Sequence, residues 1–344
     1  MNFPWQARGI VLTAPLSYEV DDVIKFIDEY LSPRGFNMIV LQVRYRYQFK
    51  NHPEVWGYDP LSYEDVKKLL SVCRKNNIKL IPKMNLIGHQ SGFPNEPTDG
   101  IIHGHNDISS DIPDGLLRAY PSFDEQMGER EVYYARSICL SSRPAKIIVY
   151  ELIDELMDVF EADCIHIGCD EAFNVGICPK CSQKPKGELI ADWINGINDH
   201  VRARGGSVLM WGDRLLPKNG TDYDPWESSD SGTDSALDML SRDIIICDWH
   251  YNKYESYKSV DIFNEAGFKM MVSPWRDKGS LERFLDYAKS HDKGHILGVL
   301  MTTWCGSGDL AKRLLYGESG RWLHTEQIAK TLDEIFEIQN RREI

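Results

Sequence analysis

The sequence lacks the features that mark a membrane, nucleic-acid-binding or disulfide-rich protein. No apolar run approaches the roughly 18 residues that a bilayer-spanning helix needs. Basic residues are in the minority, with 39 Lys and Arg against 52 Asp and Glu and a formal net charge of −13. Nucleic acid and anionic membranes attract basic surfaces, so neither is expected as a partner. Eight cysteines in 344 residues are too few for a disulfide scaffold.

The first 15 residues contain no basic segment followed by a long apolar one, so no secretory signal is visible. A reducing, cytoplasmic location is therefore expected. Buried free thiols are expected for the four cysteines in apolar or helical runs, which are Cys73, Cys164, Cys247 and Cys305. The sequence sets no oligomeric state, and a homodimer stays open.

One pair of cysteines, Cys178 and Cys181, has the C-x-x-C spacing of half a metal site. Cys164 and Cys169 are the nearest candidates for the other half. They would lie roughly 16 Å apart on a strand, at about 3.3 Å per residue, and face opposite sides. No metal is therefore expected, and the alternatives are two free thiols or a site closed by a distant His or Cys.

What the chain does contain is a regular alternation of short apolar runs and helical patterns. Eight runs are typical of buried parallel strands, and they occupy residues 9–14, 37–43, 78–84, 164–168, 207–211, 244–249, 268–273 and 296–303. Helical spacing fills residues 20–31, 63–76, 144–160, 189–204 and 310–340, the last with a break near residues 317–320. Ser62 is the expected N-cap of the second helix, with Glu64 and Asp65 in its first turn.

This alternation predicts an α/β protein, a single-domain (β/α)8 TIM barrel over residues 1–344 with long loops at about 85–138 and 217–235. A doubly wound open sheet is the alternative. The first strand is not followed by a G-x-G-x-x-G fingerprint, which weakens a dinucleotide-binding function.

Polar and aromatic residues collect at the ends of the predicted strands. Asp170 and Glu171 directly follow the fourth strand, at the end of a barrel where active sites lie. Tryptophans follow four further strands, which predicts a narrow pocket with apolar walls. The alternatives are that the tryptophans only cap the core and that the acid pair begins a helix, where the dipole favours it. The other strand-end residues are Asn85, His89, Trp211, Asp213, Asp248, Trp249, His250, Tyr251, Trp275, Arg276 and Trp304.

Residues 166–171, His-Ile-Gly-Cys-Asp-Glu, resemble the His-x-Gly-Gly-Asp-Glu signature of glycoside hydrolase family 20, the β-N-acetylhexosaminidases. Residues 81–89 are similar to the family's Ile-Pro-Glu-Ile-Asp-x-Pro-Gly-His, and residues 210–213 to its Trp-Gly/Glu-Asp after strand five. Arg8 with Gly9 resembles its opening Arg-Gly, and Trp304 its tryptophan after strand eight. The resemblance covers nearly the whole chain.

The resemblance implies hydrolysis of β-linked N-acetylhexosamine residues of the GlcNAc or GalNAc type, without a cofactor. Family 20 is among the substrate-assisted exceptions to the two-carboxylate mechanism, so the 2-acetamido carbonyl would attack the anomeric carbon. Asp170 would hold the acetamido N–H, and Glu171 would act as general acid and then as base. Such an acid needs a raised pKa, which apolar walls and a neighbouring carboxylate can supply. On an extended backbone the two side chains would point to opposite sides.

The resemblance also implies a set of substrate-binding residues. The tryptophans would form a cage for the acetamido group, Tyr251 would bond its oxygen, and His89 and His166 would orient Glu171. The complete set is Asn85, His89, His166, Trp211, Asp213, Asp248, Trp249, Tyr251, Trp275 and Trp304.

Several positions depart from the family pattern. Thr13 and Leu16 stand where the family has an Asp and a sugar-gripping Arg, Asn85 replaces an Asp, and Gly306 replaces a Glu. These differences predict altered recognition of the distal face of the sugar. The candidates for a replacement grip are Arg44, Arg46 and Arg276.

Two other functions stay open at this point. A non-catalytic glycan-binding barrel would tolerate the lost recognition residues, although a binding module has no use for a proton donor. A metal-dependent barrel hydrolase would use His89, His166, Asp170 and His250 as its ligands.

Overall fold

Eight parallel strands close into a barrel in the order in which they occur along the chain, with β8 paired to β1. A computed structural model describes residues 5–90, 115–125, 136–320 and 323–341. The closed barrel confirms the predicted (β/α)8 TIM barrel and excludes the open sheet. The strands are β1 Ala7–Thr13, β2 Met38–Gln42, β3 Lys79–Lys83, β4 Cys164–His166, β5 Ser207–Trp211, β6 Ile245–Trp249, β7 Met270–Ser273 and β8 Ile296–Met301.

Helices connect the strands on the outside of the barrel. The predicted break in the last helical segment is confirmed, because α8 ends at Tyr316 and Gly317 follows with a φ of 72°. Residues 91–114 and 126–135 of the first long loop lie outside the described residues. The helices are α1 Val20–Phe26, α2 Tyr63–Lys75, α3 Leu116–Ala119, α4 Arg143–Val159, α5 Lys186–Ala203, α6 Lys258–Ala266, α7 Lys278–His291, α8 Ser307–Tyr316 and α9 Leu323–Arg341.

No helix in the described part of the chain is long and apolar enough to cross a bilayer. The second helix begins as the sequence predicts. The Asp65 N–H donates to the Ser62 hydroxyl over 3.2 Å, and the Ser62 N–H donates to the Asp65 carboxylate over 3.0 Å. This reciprocal pair is a capping box, which satisfies two backbone donors at the start of α2.

Successive side chains along each strand point to opposite faces of the sheet, so the barrel has one apolar layer inside it and another between the strands and the helices. One set of side chains fills the barrel and the other packs against the helices, as Ile10 and Leu12 of β1 do. All eight cysteines are buried free thiols, which confirms the expectation for the four named above. The residues that fill the barrel are Val11, Val40, Ile81, Cys164, Leu209, Cys247, Met271 and Leu300.

Strand β4 is two residues shorter than predicted because the backbone turns sharply after His166. Gly168 has a φ of 68° and Cys169 a φ of 73°, so the chain leaves the extended conformation there. A Cβ on Gly168 would lie 2.5 Å from Asn85 Oδ1 and 2.8 Å from Asn85 Cα. Only glycine permits this approach, which brings the segment after β4 against the segment after β3.

Candidate active site

The two acidic residues after β4 converge on one histidine. His89 Nε2 lies 3.1 Å from Asp170 Oδ2 and 3.2 Å from Glu171 Oε2. The expectation that the acidic side chains point to opposite sides is wrong, because Cys169 and Glu171 have φ values of 73° and 47° and the backbone is not extended. The pair does not begin a helix either, since α5 starts at Lys186.

His89 also has a strained backbone, with a φ of 56°. Burial alone would lower the pKa of His89, but the Asp170 and Glu171 carboxylates outweigh it and raise this pKa to about 9. Burial likewise opposes ionisation of Asp170, yet the His89 and Lys83 charges hold its pKa well below the usual range. At neutral pH the pair is therefore an imidazolium beside a carboxylate, and the buried Asp170 Oδ1 has no hydrogen-bond partner.

Asp213, which follows β5, fixes the position of Glu171. Its carboxylate accepts hydrogen bonds from the Glu171 N–H over 2.9 Å, from Arg214 Nε over 2.7 Å and from Trp249 Nε1 over 3.2 Å. Burial raises the pKa of Asp213 to about 6, with Arg214 opposing the shift. Asp213 is thus ionised at neutral pH and connects the acid pair to an aromatic wall.

The aromatic residues at or after the ends of β6, β7 and β8 form one wall beside the acid pair. Trp304 Nε1 donates to the Tyr251 hydroxyl over 2.6 Å, and the Tyr251 ring lies 4.8 Å from that of Trp249 and 4.9 Å from that of Trp275. Burial raises the pKa of Tyr251, so its phenol stays protonated. The Tyr251 oxygen accepts from Trp304, so the Tyr251 O–H must donate to an acceptor other than Trp304.

Trp211 and His166 form the floor of this cluster rather than a surface open to ligand. Trp211 is 0 % exposed, and its ring lies 4.4 Å from that of His166 and 5.8 Å from that of Trp304. His166 Nδ1 accepts the Gly168 N–H over 3.0 Å. Burial and the Lys83 charge lower the pKa of His166 well below its usual value, so the ring is neutral with its proton on Nε2.

Lys83 is a site residue that the sequence analysis missed. It is 0 % exposed at the end of β3, and its ammonium donates to Gln42 Oε1 over 2.9 Å and to Asn85 Oδ1 over 2.5 Å. Burial lowers the pKa of Lys83 to about 8. Its Nζ also lies 5.6 Å and 5.7 Å from the ring centroids of Trp211 and Trp304. The available indication in the sequence was a lysine between two apolar residues, Pro82 and Met84.

Asp248 lies on the other face of β6 from the wall residue Trp249, because successive strand residues point to opposite sides. Its Oδ2 accepts from the Ser259 hydroxyl over 2.7 Å, and its Oδ1 lies 3.1 Å from His250 Nε2. His250 Nδ1 lies 2.7 Å from Glu227 Oε2. These contacts form a buried network behind the strand, so the structure does not bring Asp248 to the acid pair.

The four proposed metal ligands of a metal-dependent hydrolase are not brought together. Among the described residues two groups have the geometry to hold a metal ion. One contains His89, Asp170 and Glu171, without His166 or His250. The second group contains Cys178 and Cys181 of the β4–α5 connection together with Glu125 and Cys139.

The acidic loop at about residues 217–235 contributes an aromatic side chain that sequence reasoning also missed. Trp226 packs on the cluster inside the barrel and meets the Phe173 ring edge-on at 4.9 Å. The loop is held down by Arg214, which donates to the carbonyls of Pro225, Trp226 and Ser228 over 2.8, 2.8 and 2.7 Å. In the sequence, the only indication of a role for Trp226 was that it is a lone tryptophan in a polar segment.

The positions that depart from the family pattern have structural partners of their own. Thr13 Oγ1 donates to the Cys305 carbonyl over 3.0 Å and accepts the Ser307 N–H over 3.1 Å, and Leu16 is buried. Of the three arginines offered as a replacement grip, Arg44 is buried and donates to the His89 carbonyl over 3.4 Å. The Arg276 guanidinium lies 3.6 Å from the ring centroid of Trp275.

Comparison with known proteins points to one group. The model of the glycosyl hydrolase family 20 catalytic domain matches residues 42–312. A lacto-N-biosidase from Bifidobacterium bifidum is 21% identical over 227 residues, which cover 62% of this chain and 18% of that protein. The chain thus spans less than a fifth of the length of this curated relative.

Solved structures share the fold at low sequence identity. A chitobiase from Flavobacterium johnsoniae superimposes with a TM-score of 0.66 at 19% identity, covering 99% of this chain and 50% of that one. A β-N-acetylhexosaminidase from Bacteroides fragilis superimposes with a TM-score of 0.63 at 16% identity, covering 98% of this chain and 71% of that one.

Proposed function

Since the chain belongs to glycosyl hydrolase family 20, we propose that it hydrolyses β-glycosides of N-acetylhexosamines with the substrate's own 2-acetamido group as the nucleophile. The observation that carries the proposal is the contact of His89 Nε2 with both Asp170 and Glu171, at 3.1 and 3.2 Å. This arrangement provides an ionised carboxylate and a second carboxyl group side by side.

Asp170 is the group that would hold the acetamido N–H. Its Oδ2 is engaged with His89, whereas the buried Oδ1 has no hydrogen-bond partner. A buried acceptor without a partner is costly, and an amide N–H of the substrate would satisfy it. As the acetamido oxygen attacks the anomeric carbon, the resulting ring becomes positively charged. The ionised Asp170 would stabilise that charge in a site shielded from water.

Glu171 is the proposed general acid and base. Its N–H is held by Asp213, so the position of its backbone is set by a carboxylate rather than by a mobile loop. Protonated Glu171 would give its proton to the leaving oxygen, and the resulting carboxylate would then activate water. His89, 3.2 Å away, is a positioning residue that orients this carboxyl group.

The aromatic wall would enclose the acetamido methyl group. Trp249, Trp275 and Trp304 lie around Tyr251, and the protonated Tyr251 hydroxyl can donate to the acetamido oxygen. Holding that oxygen near the anomeric carbon turns a bimolecular attack into an intramolecular one.

The test is hydrolysis of aryl β-glycosides with and without a 2-acetamido group, by the wild type and by Glu171→Gln. We expect cleavage only of the acetamido sugars, and a loss in kcat/KM of about 10²–10⁴ in the variant, as for removal of a general acid. The loss should grow as the leaving phenol becomes a poorer leaving group, because protonation then matters more.

Glu318→Gln is the matched control, since Glu318 is exposed in the α8–α9 connection, and it should keep wild-type rates. Equal cleavage of sugars without the acetamido group would contradict the substrate-assisted mechanism. Sugar binding without any cleavage would instead identify a glycan-binding barrel.

A further inference from the structure

Four side chains in a second part of the molecule, Glu125, Cys139, Cys178 and Cys181, form a compact cluster. Their candidate ligand atoms all lie within 4.8 Å of one another. The Cys139 sulfur lies 3.5 Å from the sulfur of Cys178 and 3.5 Å from that of Cys181. Exposure of the four residues ranges only from 0 % to 8 %. Nothing in the proposed glycosidase mechanism uses them.

The spacing of the sulfurs is that of ligands around one metal ion. A disulfide requires an S–S distance of about 2.0 Å, and all three thiols are free. In a tetrahedral zinc site with Zn–S bonds of about 2.3 Å, the sulfurs stand about 3.8 Å apart. The observed 3.5 Å is close to this value for both pairs that include Cys139.

The Glu125 carboxylate lies beside the three sulfurs, where a fourth ligand would be. Its Oε1 accepts the Ile177 N–H over 2.7 Å and the Cys178 N–H over 3.1 Å, which fixes the carboxylate against the C-x-x-C segment. The other oxygen, Oε2, is buried and has no hydrogen-bond partner. A carboxylate with one oxygen fixed by backbone donors and the other unpaired is oriented as metal-binding carboxylates are.

Backbone hydrogen bonds hold together the chain segments that carry the cluster. The Cys181 N–H donates to the Cys178 carbonyl over 3.0 Å, which closes the turn between these ligands. The Glu125 N–H donates to the Ser137 carbonyl over 3.0 Å, and the Cys139 N–H donates to the Phe123 carbonyl over 2.7 Å. The ligands therefore sit on chain segments already paired to each other.

We propose that Glu125, Cys139, Cys178 and Cys181 bind one structural Zn²⁺ ion. Thiolates select soft or borderline metals over Ca²⁺ and Mg²⁺, and four protein ligands leave no open position for catalysis. The ion would connect three segments: residues 124–125, Cys139 four residues before the start of α4, and the connection from β4 to α5. That connection also carries Asp170 and Glu171, so zinc stabilises the segment that presents the acid pair.

The test measures the metal content of the purified protein by elemental analysis. The wild type should hold one zinc per chain, and Cys139→Ser and Cys178→Ser should hold at least tenfold less. Cys73→Ser is the matched control, because Cys73 is an equally buried thiol in α2, outside the cluster. It should retain the full zinc content.

A second measurement covers the case in which the serine variants do not fold. Wild-type protein stripped with a chelator and reloaded with Co²⁺ should show thiolate-to-cobalt charge-transfer absorption and a melting temperature restored to that of the zinc form. Absence of zinc from the wild type together with absence of that absorption would overturn the proposal, as would equal zinc in the cysteine variants and Cys73→Ser. None of these readouts depends on glycosidase activity, so failure of one proposal is distinguishable from failure of the other.

Discussion

At the scale of single residues, His89 combines more functions than its position in the sequence indicates. It bonds two acidic side chains at once, and its φ of 56° is of a kind that few non-glycine residues adopt. Strain of this kind is tolerated where surrounding contacts hold it. Its protonation state therefore affects both the stability of the fold and the charge of the acid pair.

His89→Gln should change how stability depends on pH. The pKa of His89 is raised from an ordinary value near 6.5 to about 9. Between about pH 6.5 and pH 9, the folded state therefore binds more protons than the unfolded state. The stabilisation is complete below about pH 6.5 and is lost as the pH rises through about 9. A pKa difference of one unit corresponds to about 1.36 kcal/mol, so the raised pKa of His89 stabilises the folded state by about 3 kcal/mol at low pH.

Urea unfolding at a series of pH values measures this effect. The free energy of unfolding of the wild type should fall more steeply between pH 6.5 and 9 than that of the His89→Gln variant. His250, whose pKa the Asp248 and Glu227 carboxylates raise to about 9 against the effect of burial, contributes equally to both proteins. Equal slopes for the wild type and for His89→Gln would refute the argument.

At the scale of elements, most helices and strands follow from local pattern. The connection from β4 to α5 does not, because its turn through Gly168 and Cys169 depends on the approach of Asn85. The start of α2 is the opposite case. Its capping box depends only on residues 62–65, which are consecutive in the sequence, and the structure forms it as expected.

Ser62→Ala should therefore destabilise the protein by about 1 kcal/mol, the usual cost of losing an N-cap side chain. Activity per folded molecule should be unchanged, because α2 lies outside the barrel and away from the strand ends that carry the acid pair. Thermal and urea unfolding measure the loss. Ser71→Ala, at an exposed position on the same helix, should be neutral or slightly stabilising, since alanine favours the helix. A loss equal to that of Ser62→Ala would show that the cap contributes nothing.

At the scale of the whole molecule, closure of the barrel depends on the contact between β8 and β1. Ala7 pairs with Gly298 across this seam. A Cβ on Gly298 would lie 2.0 Å from the Ala7 carbonyl oxygen, which is backbone and has no rotamer to change. The first and last strands can therefore pair there only because the residue has no side chain.

Gly298→Ala should destabilise the fold by about 1–3 kcal/mol or more, the usual cost of overpacking a close-packed core. The melting temperature should fall and soluble yield should drop, because the strands must separate to admit the methyl group. Gly279→Ala is the control, since the nearest atom to its added Cβ is 3.5 Å away and alanine favours its helix, α7. Similar melting temperatures for the two variants would show that the seam adapts.

The sequence by itself determined the barrel and the position of the acid pair. Strand and helix patterns are local, and an apolar run such as the one before Gly168 must be buried wherever it lies. The same logic located Asp170 and Glu171 at the carboxyl end of the strands. It also predicted the cap at Ser62, since capping depends on residues within one turn.

Only the tertiary structure decided which side chains meet. The approach of His89 to both acidic residues, the burial of Lys83 among tryptophans and the position of Asp248 behind β6 depend on contacts between different strands. Cys178 and Cys181 have the sequence spacing of half a metal site, and the two residues proposed to complete it, Cys139 and Glu125, lie 39 and 53 residues before Cys178. Spacing along the chain carries no information about such pairs, because closure of the barrel fixes their distances.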